Sequence, residues 1–312
     1  MPDLSARLRG VIPPLVTPLD ETGEVDRDSL RRLIGYQLEA GVHGVFLGGS
    51  SGEIALLDDG QRRTVVEIAV AEVAGAVPVL VGAIDTGTRR VVEQARRAAA
   101  LGADAAVVTA PFYVRPHADE IVEHFRLVHA AVDLPLVAYD IPPAVSVRLT
   151  PDVVEAIAEA GFVVGLKDSS GDLSNFRENL RRLPEFPILT GSELFADLAV
   201  RLGAAGIVPG LGNVDPHGYL RLYQAASAGR LAEATAEQDR LAQLFTITEV
   251  ADRGRIGSTA GALGAFKAAM AARGMIAHGR TNQPLLPLDE AEIKTIAEIL
   301  REVGLDAAIV AG

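Results

Sequence analysis

Short runs of Val, Ile and Leu recur along the chain, separated by longer segments in which apolar residues return at helical spacing among Ala, Glu and Arg. The runs are GVIPPLV near residue 11, HGVFLG at 43, VPVLVGA at 77, AAVVTA at 105, PLVAYD at 135, VVGLKD at 163, PILTG at 187 and GIVPG at 206. They are continuously apolar, which marks strands buried on both faces. The segments between them, such as 29–41, 60–75, 88–102 and 149–161, read as helices. These four close on Gly41, Gly75, Gly102 and Gly161, the residue type that takes the left-handed conformation at a helix end without steric cost. Eight strand-plus-helix units predict an α/β fold of the (β/α)8 TIM-barrel type. An open doubly wound sheet would carry a G-x-G-x-x-G turn after its first strand, and none follows GVIPPLV. Beyond about residue 225 only helical patterns remain. The division expected is a barrel over 1–225 and a C-terminal helical extension over 226–312, packed on the barrel with no flexible linker.

Composition changes this picture little. The chain has 312 residues, 49% of them apolar, enough for a large core. No apolar run is long enough to span a membrane, and Arg7, Arg9, Pro13 and Pro14 break the first twenty positions, so a cytoplasmic location is the default expectation. A formal charge of -12 would repel nucleic acid, and the arginine pairs at 31–32, 62–63, 89–90 and 96–97 read as solvated helix faces. Cysteine is absent, which removes disulfides, thiolate metal sites and a cysteine nucleophile together. The six histidines, His43, His117, His124, His129, His217 and His278, lack metal-ligand spacing, so no metal site is expected. Glu120 and His124, four apart, read as a helix-surface pair.

In a barrel of this kind the chemistry sits where the strands end. The second run ends in GGSSGE, Gly48 to Glu53, where Ser50 and Ser51 lie between glycines that let backbone N–H groups approach a small anion. An ordinary turn with a capping serine is the alternative. The fourth and fifth runs lead into Tyr113 and Tyr139, each able to relay a proton or to serve only in packing. The sixth ends in Lys167. An amine among apolar neighbours loses hydration, which favours the neutral form that attacks a carbonyl to make a Schiff base. The competing reading pairs Lys167 with Asp168 or Asp172, although strand alternation points Asp168 to the opposite face. Together, a lysine, two tyrosines and an anion turn suit a 2-oxo acid: carboxylate in the turn, carbonyl at the amine, tyrosines moving protons.

These motifs, with PFYVRP, YDIPP, GLKDSSGD, LTGSE, GAAGIVPGLGNV and the tail segment GALGAFKAAMAARG, resemble the dihydrodipicolinate synthase and N-acetylneuraminate lyase superfamily of pyruvate-dependent class I aldolases over essentially the whole chain. The resemblance implies Lys167 as the Schiff-base lysine and Tyr139 as the proton-transferring residue. It also implies Ser50 linking the two tyrosines, Ser51 with Gly49 in the turn at the substrate carboxylate, and Gly191 and Val208 around the pyruvyl group. Tyr113 matches a tyrosine passed into the neighbouring subunit's site. No cofactor is implied beyond the covalent imine with substrate, and the implied assembly is a homotetramer, a dimer of dimers. Subtype positions depart from the pattern. Ala144 stands where the synthase of lysine biosynthesis has an arginine, and Arg148 lies four residues too late to replace it. Of the acidic and serine set that holds the polyol tail in the sialic acid lyases, only Glu193 remains. The expected activity is therefore a Schiff-base aldolase or dehydratase acting on pyruvate or a 2-keto-3-deoxy acid. A 4-hydroxy-tetrahydrodipicolinate synthase and a non-catalytic 2-oxo-acid-binding paralogue are the alternatives.

Overall fold

Parallel pairing of the eight Val/Ile/Leu runs, each buried, builds a single sheet that closes on itself in a computed structural model describing residues 4–305. In chain order the elements are α1 (Leu4–Arg7), β1 (Gly10–Val11), α2 (Arg27–Ala40), β2 (Val45–Leu47), α3 (Asp59–Val73), β3 (Val79–Gly82), α4 (Thr88–Ala100), β4 (Ala105–Thr109), α5 (Ala118–Ala131) and β5 (Leu136–Asp140). There follow α6 (Pro142–Val145), α7 (Pro151–Glu159), β6 (Gly165–Asp168), α8 (Leu173–Arg182), β7 (Ile188–Thr190), α9 (Ala196–Arg201), β8 (Gly206–Ile207) and α10 (Pro216–Ser227), the last preceded by a 3-10 turn over Gly210–Asn213. The chain continues with α11 (Leu231–Phe245), α12 (Ser258–Ala272) and α13 (Glu290–Glu302). This is the (β/α)8 barrel with helices after it. Residues 306–312 of the expected extension lie outside the described residues.

Strand order is β1-β8-β7-β6-β5-β4-β3-β2, all parallel. The ladder of β1 is only two residues long because Pro13 and Pro14 have no N–H to donate. Closure with β2 uses the carbonyls instead: His43 N–H donates to Val11 O at 2.8 Å and Phe46 N–H to Pro13 O at 3.0 Å, and Leu15 N–H returns to Phe46 O at 2.8 Å. Gly41, Gly75, Gly102 and Gly161 all take positive φ, between 70° and 91°, as expected of helix ends.

Strand alternation sorts the core into two layers. Val45, Leu47, Val108, Ala138 and Leu166 pack outward against the helices. Phe46, Leu80, Val107, Val137, Tyr139, Leu189 and Val208 fill the interior, joined by Leu4 of α1 and by Leu8 just after it. Leu8 packs against Gly165, the first residue of β6, so α1 seals the end of the barrel where strands begin.

Two sequence expectations need correction. His124 is buried, not on a helix surface: it shares a face of α5 with Ile121, Phe125 and Val128, and its Nδ1 lies 3.0 Å from Thr88 Oγ1. Burial lowers its pKa to about 4. Glu120 turns away from it and accepts from His117 N–H at 2.6 Å, capping the helix. Of the arginine pairs, Arg62 is half-buried, donating through Nη2 to Ile54 O at 2.7 Å and through Nε to Leu57 O at 3.2 Å. Among the described residues no helix is long and apolar enough to cross a membrane.

Candidate active site

Lys167 and Tyr139 are direct cross-strand partners in the β5–β6 ladder, with Leu189 of β7 on the other side of the lysine. Their shared phase puts both side chains inside the barrel. Lys167 is buried, and its Nζ lies 4.1 Å from the Tyr139 ring centroid and 4.9 Å from that of Phe46. The two rings meet edge to face at 83°, 6.2 Å apart. Phe46 was not singled out in the sequence, although it lies two residues before the glycine turn in the phase that faces inward.

The anionic partners proposed for Lys167 are engaged elsewhere. Asp168 alternates outward and accepts from Ser170 N–H at 2.8 Å. Asp172 caps α8 through Asn175 N–H at 3.0 Å and pairs with Arg148 at 3.0 Å. Among the described residues Lys167 makes no ion pair. The rings of Tyr139 and Phe46 flank its amine, and Gly191 lies beside its Cε. A Cβ at Gly191 would stand 3.2 Å from Lys167 Cε and in the space held by Ser169 Oγ, so the residue type there keeps the amine's surroundings open. Val208 lines the same interior layer, its N–H donating to Thr190 O at 2.7 Å.

Above Phe46 comes the glycine turn. Gly49 is packed so closely on Phe46 that a Cβ would approach the ring to 2.7 Å. Glu53 N–H donates to Ser50 O at 3.1 Å and Ile54 N–H to Gly49 O at 3.3 Å, which folds the turn. Among the described residues, no protein acceptor takes the N–H groups of Ser50, Ser51 or Gly52, and neither serine hydroxyl has a partner. Ser50 is exposed, and Ser51 lies toward Gly210. Three free N–H groups and two hydroxyls in succession make a cradle for a small anion.

Glu53, which ends the turn, has φ 61°, a left-handed conformation that costs a non-glycine residue about 1–3 kcal/mol and persists where surrounding contacts over-determine it. Those contacts are visible. Its carboxylate is paired with Lys267 Nζ on α12, both side chains fully buried, and accepts from Asn282 N–H at 2.6 Å. Neither residue of this pair was recognised in the sequence. The available signal was Lys267 itself, the single charge in the otherwise uncharged helix STAGALGAFKAAMAA.

Two expected site residues stand differently. Tyr113 is 96% exposed with φ 70°, and no contact joins it to Lys167, Tyr139 or Ser50 in this chain. Glu193 is half-buried, its Oε1 accepting from Leu211 N–H at 2.5 Å. Burial raises its pKa to about 7, opposed by the Leu211 N–H and by the charge of Lys167. No group of three or more metal-ligating side chains occurs among the described residues.

The whole arrangement has known counterparts. The family model described as the dihydrodipicolinate synthetase family matches residues 7–303. The chain belongs to this family. An uncharacterized DapA-like lyase of Halobacterium salinarum is 35% identical over 298 residues, 96% of this chain and 95% of that protein. A 4-hydroxy-tetrahydrodipicolinate synthase of Stenotrophomonas maltophilia is 38% identical over 239 residues, 76% of this chain and 80% of its own. Among solved structures, a prophage protein of E. coli K12 belonging to the dihydrodipicolinic acid synthase family, in complex with pyruvate, is similar with a TM-score of 0.88 and 27% identity, over 95% of this chain and 99% of that one. The chain is thus an enzyme, a lyase of the dihydrodipicolinate synthetase family.

Within this family frame the subtype positions can be placed. Ala144 is exposed on α6, immediately after β5. Arg148 is committed to Asp172, and its charge acts on Asp140 and Asp168, two carboxyls that alternate away from the barrel interior. Burial lifts Asp140 to about 6, with the Leu149 N–H at 2.9 Å and Arg148 pulling it back. The guanidinium therefore serves the helix side of the sheet, away from Lys167.

Proposed function

We propose that this chain is a Schiff-base lyase, an aldolase or dehydratase, acting on pyruvate or a 2-keto-3-deoxy acid through Lys167. The observation that carries the reading is the setting of the Lys167 amine: interior, flanked by two aromatic rings, and free of any carboxylate partner among the described residues. Substrate carboxylate would bind the free N–H groups of Ser50, Ser51 and Gly52. The amine adds to C2, the carbinolamine loses water, and the resulting iminium withdraws electrons from the C3–C4 bond or from the C3–H bond. The first path releases an aldehyde and leaves the enamine of pyruvate. The second expels the C4 hydroxyl. Tyr139, beside the amine, would carry the protons of carbinolamine formation and collapse, take the C4 hydroxyl proton as the aldehyde leaves in the first path, and in the second take the C3 proton and return it to the departing hydroxyl, which leaves as water. No organic cofactor or metal enters this scheme.

Ala144 supports this reading over a 4-hydroxy-tetrahydrodipicolinate synthase. An aldehyde bearing a carboxylate would lack its bidentate arginine there, and Arg148 is already paired. Glu193, whose Oε1 accepts from Leu211 N–H, keeps its second carboxylate oxygen as an acceptor that a polar tail could use. Borohydride reduction with pyruvate, followed by intact mass, tests the reading. A single covalent adduct is expected, and an unmodified protein would overturn it. Retro-aldol and dehydration assays on a panel of 2-keto-3-deoxy acids then separate the two reactions.

The exposure and left-handed backbone of Tyr113 support a homotetramer in which it enters a neighbouring subunit's site. Sedimentation at assay concentration should find no active monomer; full turnover by a monomer would refute that role.

A further inference from the structure

We propose that the buried Glu53–Lys267 pair is the positioning device of the carboxylate-binding turn, so that α12, from outside the eight strand–helix units, sets the affinity of the site for its 2-oxo acid. The inference rests on the Schiff-base reading above, because it presumes that the turn of Ser50, Ser51 and Gly52 receives a carboxylate.

Backbone bonds fold the turn, and the side chain of its last residue anchors it to distant segments. Besides the two bonds that fold it, Glu53 O accepts from Leu56 N–H at 2.8 Å and Leu57 N–H at 3.2 Å, and Gly52 O from Thr17 Oγ1 at 2.8 Å, whereas the partners of the Glu53 side chain come from the far end of the sequence. Glu53 is joined to Lys267 through one carboxylate oxygen and to Asn282 N–H through the other. Lys267 Nζ donates onward to Arg280 O at 2.8 Å, and Asn282 Nδ2 donates to Leu56 O at 3.0 Å, just past the turn. Phe266, next to Lys267, packs on Gly210, the same glycine that Ser51 Oγ approaches. The mouth turn is therefore clamped between the barrel and α12 on its exit side and left open where its N–H groups have no protein partner.

An ion pair with both side chains fully buried is a poor choice for stability alone, since apolar residues of similar volume serve as well or better. A left-handed glutamate adds strain that a glycine at 53 would not have. Burial also pushes the Lys267 ammonium down, opposed by the charge and hydrogen bond of Glu53. What the pair provides that apolar packing lacks is a fixed direction for the chain at residue 53, and hence for the three N–H groups before it. Glu53 and Lys267 act through the turn and do not touch the reacting atoms.

The test compares Glu53→Gln/Lys267→Met with the unaltered full chain. It measures the half-saturating pyruvate concentration and the maximal fraction trapped by borohydride, with circular dichroism confirming the fold. Positioning predicts that half-saturation rises about tenfold or more while the maximal trapped fraction is retained, because Lys167 is intact. Lys294→Met, on the exposed face of α13, is the charge-loss control and should leave both values unchanged. If the double variant does not fold, Glu53→Gln alone is used. A glutamine there can accept from Lys267 or from Asn282 but not from both, so the same rise is expected. A folded variant with wild-type half-saturation overturns the inference and leaves the Schiff-base reading standing. Wild-type protein that pyruvate and borohydride do not modify removes both.

Discussion

Lys167→Ala is expected to yield no pyruvate adduct under borohydride and to lower turnover by at least about 10⁴-fold, the scale on which losing a nucleophile acts. Without the amine, C2 remains a ketone, and among the described residues no other amine stands in the barrel interior to form the iminium. The chain offers unusually few substitutes: Lys167, Lys267 and Lys294 are its only lysines. Lys267 is fully buried against Glu53 and Lys294 is exposed on α13, so neither amine reaches the interior layer around Tyr139. Peptide mapping of the trapped wild-type protein therefore has three candidate positions, and the adduct should map to residue 167. Because alanine leaves a void in a packed interior, Lys167→Met is the companion variant that keeps the volume and removes only the amine. An adduct that survives in either variant would sink the assignment of Lys167.

The second large effect is expected at Tyr139. Replacing it with phenylalanine keeps the ring against which the amine sits, at 4.1 Å, and deletes one hydroxyl. The expected outcome is a fall in kcat of about a hundredfold or more, the usual contribution of a placed acid–base group. Adduct formation should survive at a slower rate, since the nucleophile is untouched. Rapid-quench measurement separates the two steps: slow approach to full trapping indicates lost proton transfer. A change confined to KM, with kcat preserved, would show instead that Tyr139 only binds.

Much of this site could be read from residue order because parallel strands are buried on both faces and therefore stand out as apolar runs. One polar residue at the end of such a run, Lys167, is conspicuous, and period-two alternation correctly separated it from Asp168. Where the outcome depended on contacts between distant segments, sequence spacing misled or was silent. Glu120 and His124 are four apart, yet the face containing Ile121, Phe125 and Val128 took the histidine inward. Glu193 stood out only as the one acid retained from a family's polar set, and its tie to the N–H of Leu211, at the start of the turn after β8, is a contact that spacing does not show. Glu53 and Lys267 lie in segments with no local reason to meet; their pairing exists only because α12 returns to the second strand's turn. Ladder length failed for a different reason, since Pro13 and Pro14 leave the run apolar while removing its donors.

The plug formed by Leu4 and Leu8 has a kinetic consequence. With Leu4 and Leu8 packed into the end where the strands begin, substrate entering past the glycine turn would have to leave by the same opening. In a cleavage that begins with the 2-oxo acid bound covalently at Lys167, the aldehyde fragment lies outward of the imine and blocks the water that must hydrolyse it. Under the Schiff-base reading proposed above, release would then be compulsory in order, aldehyde first and pyruvate last. In the synthetic direction of the proposed reaction the same geometry would make pyruvate the leading substrate, with the aldehyde admitted only to an enzyme already charged with its enamine.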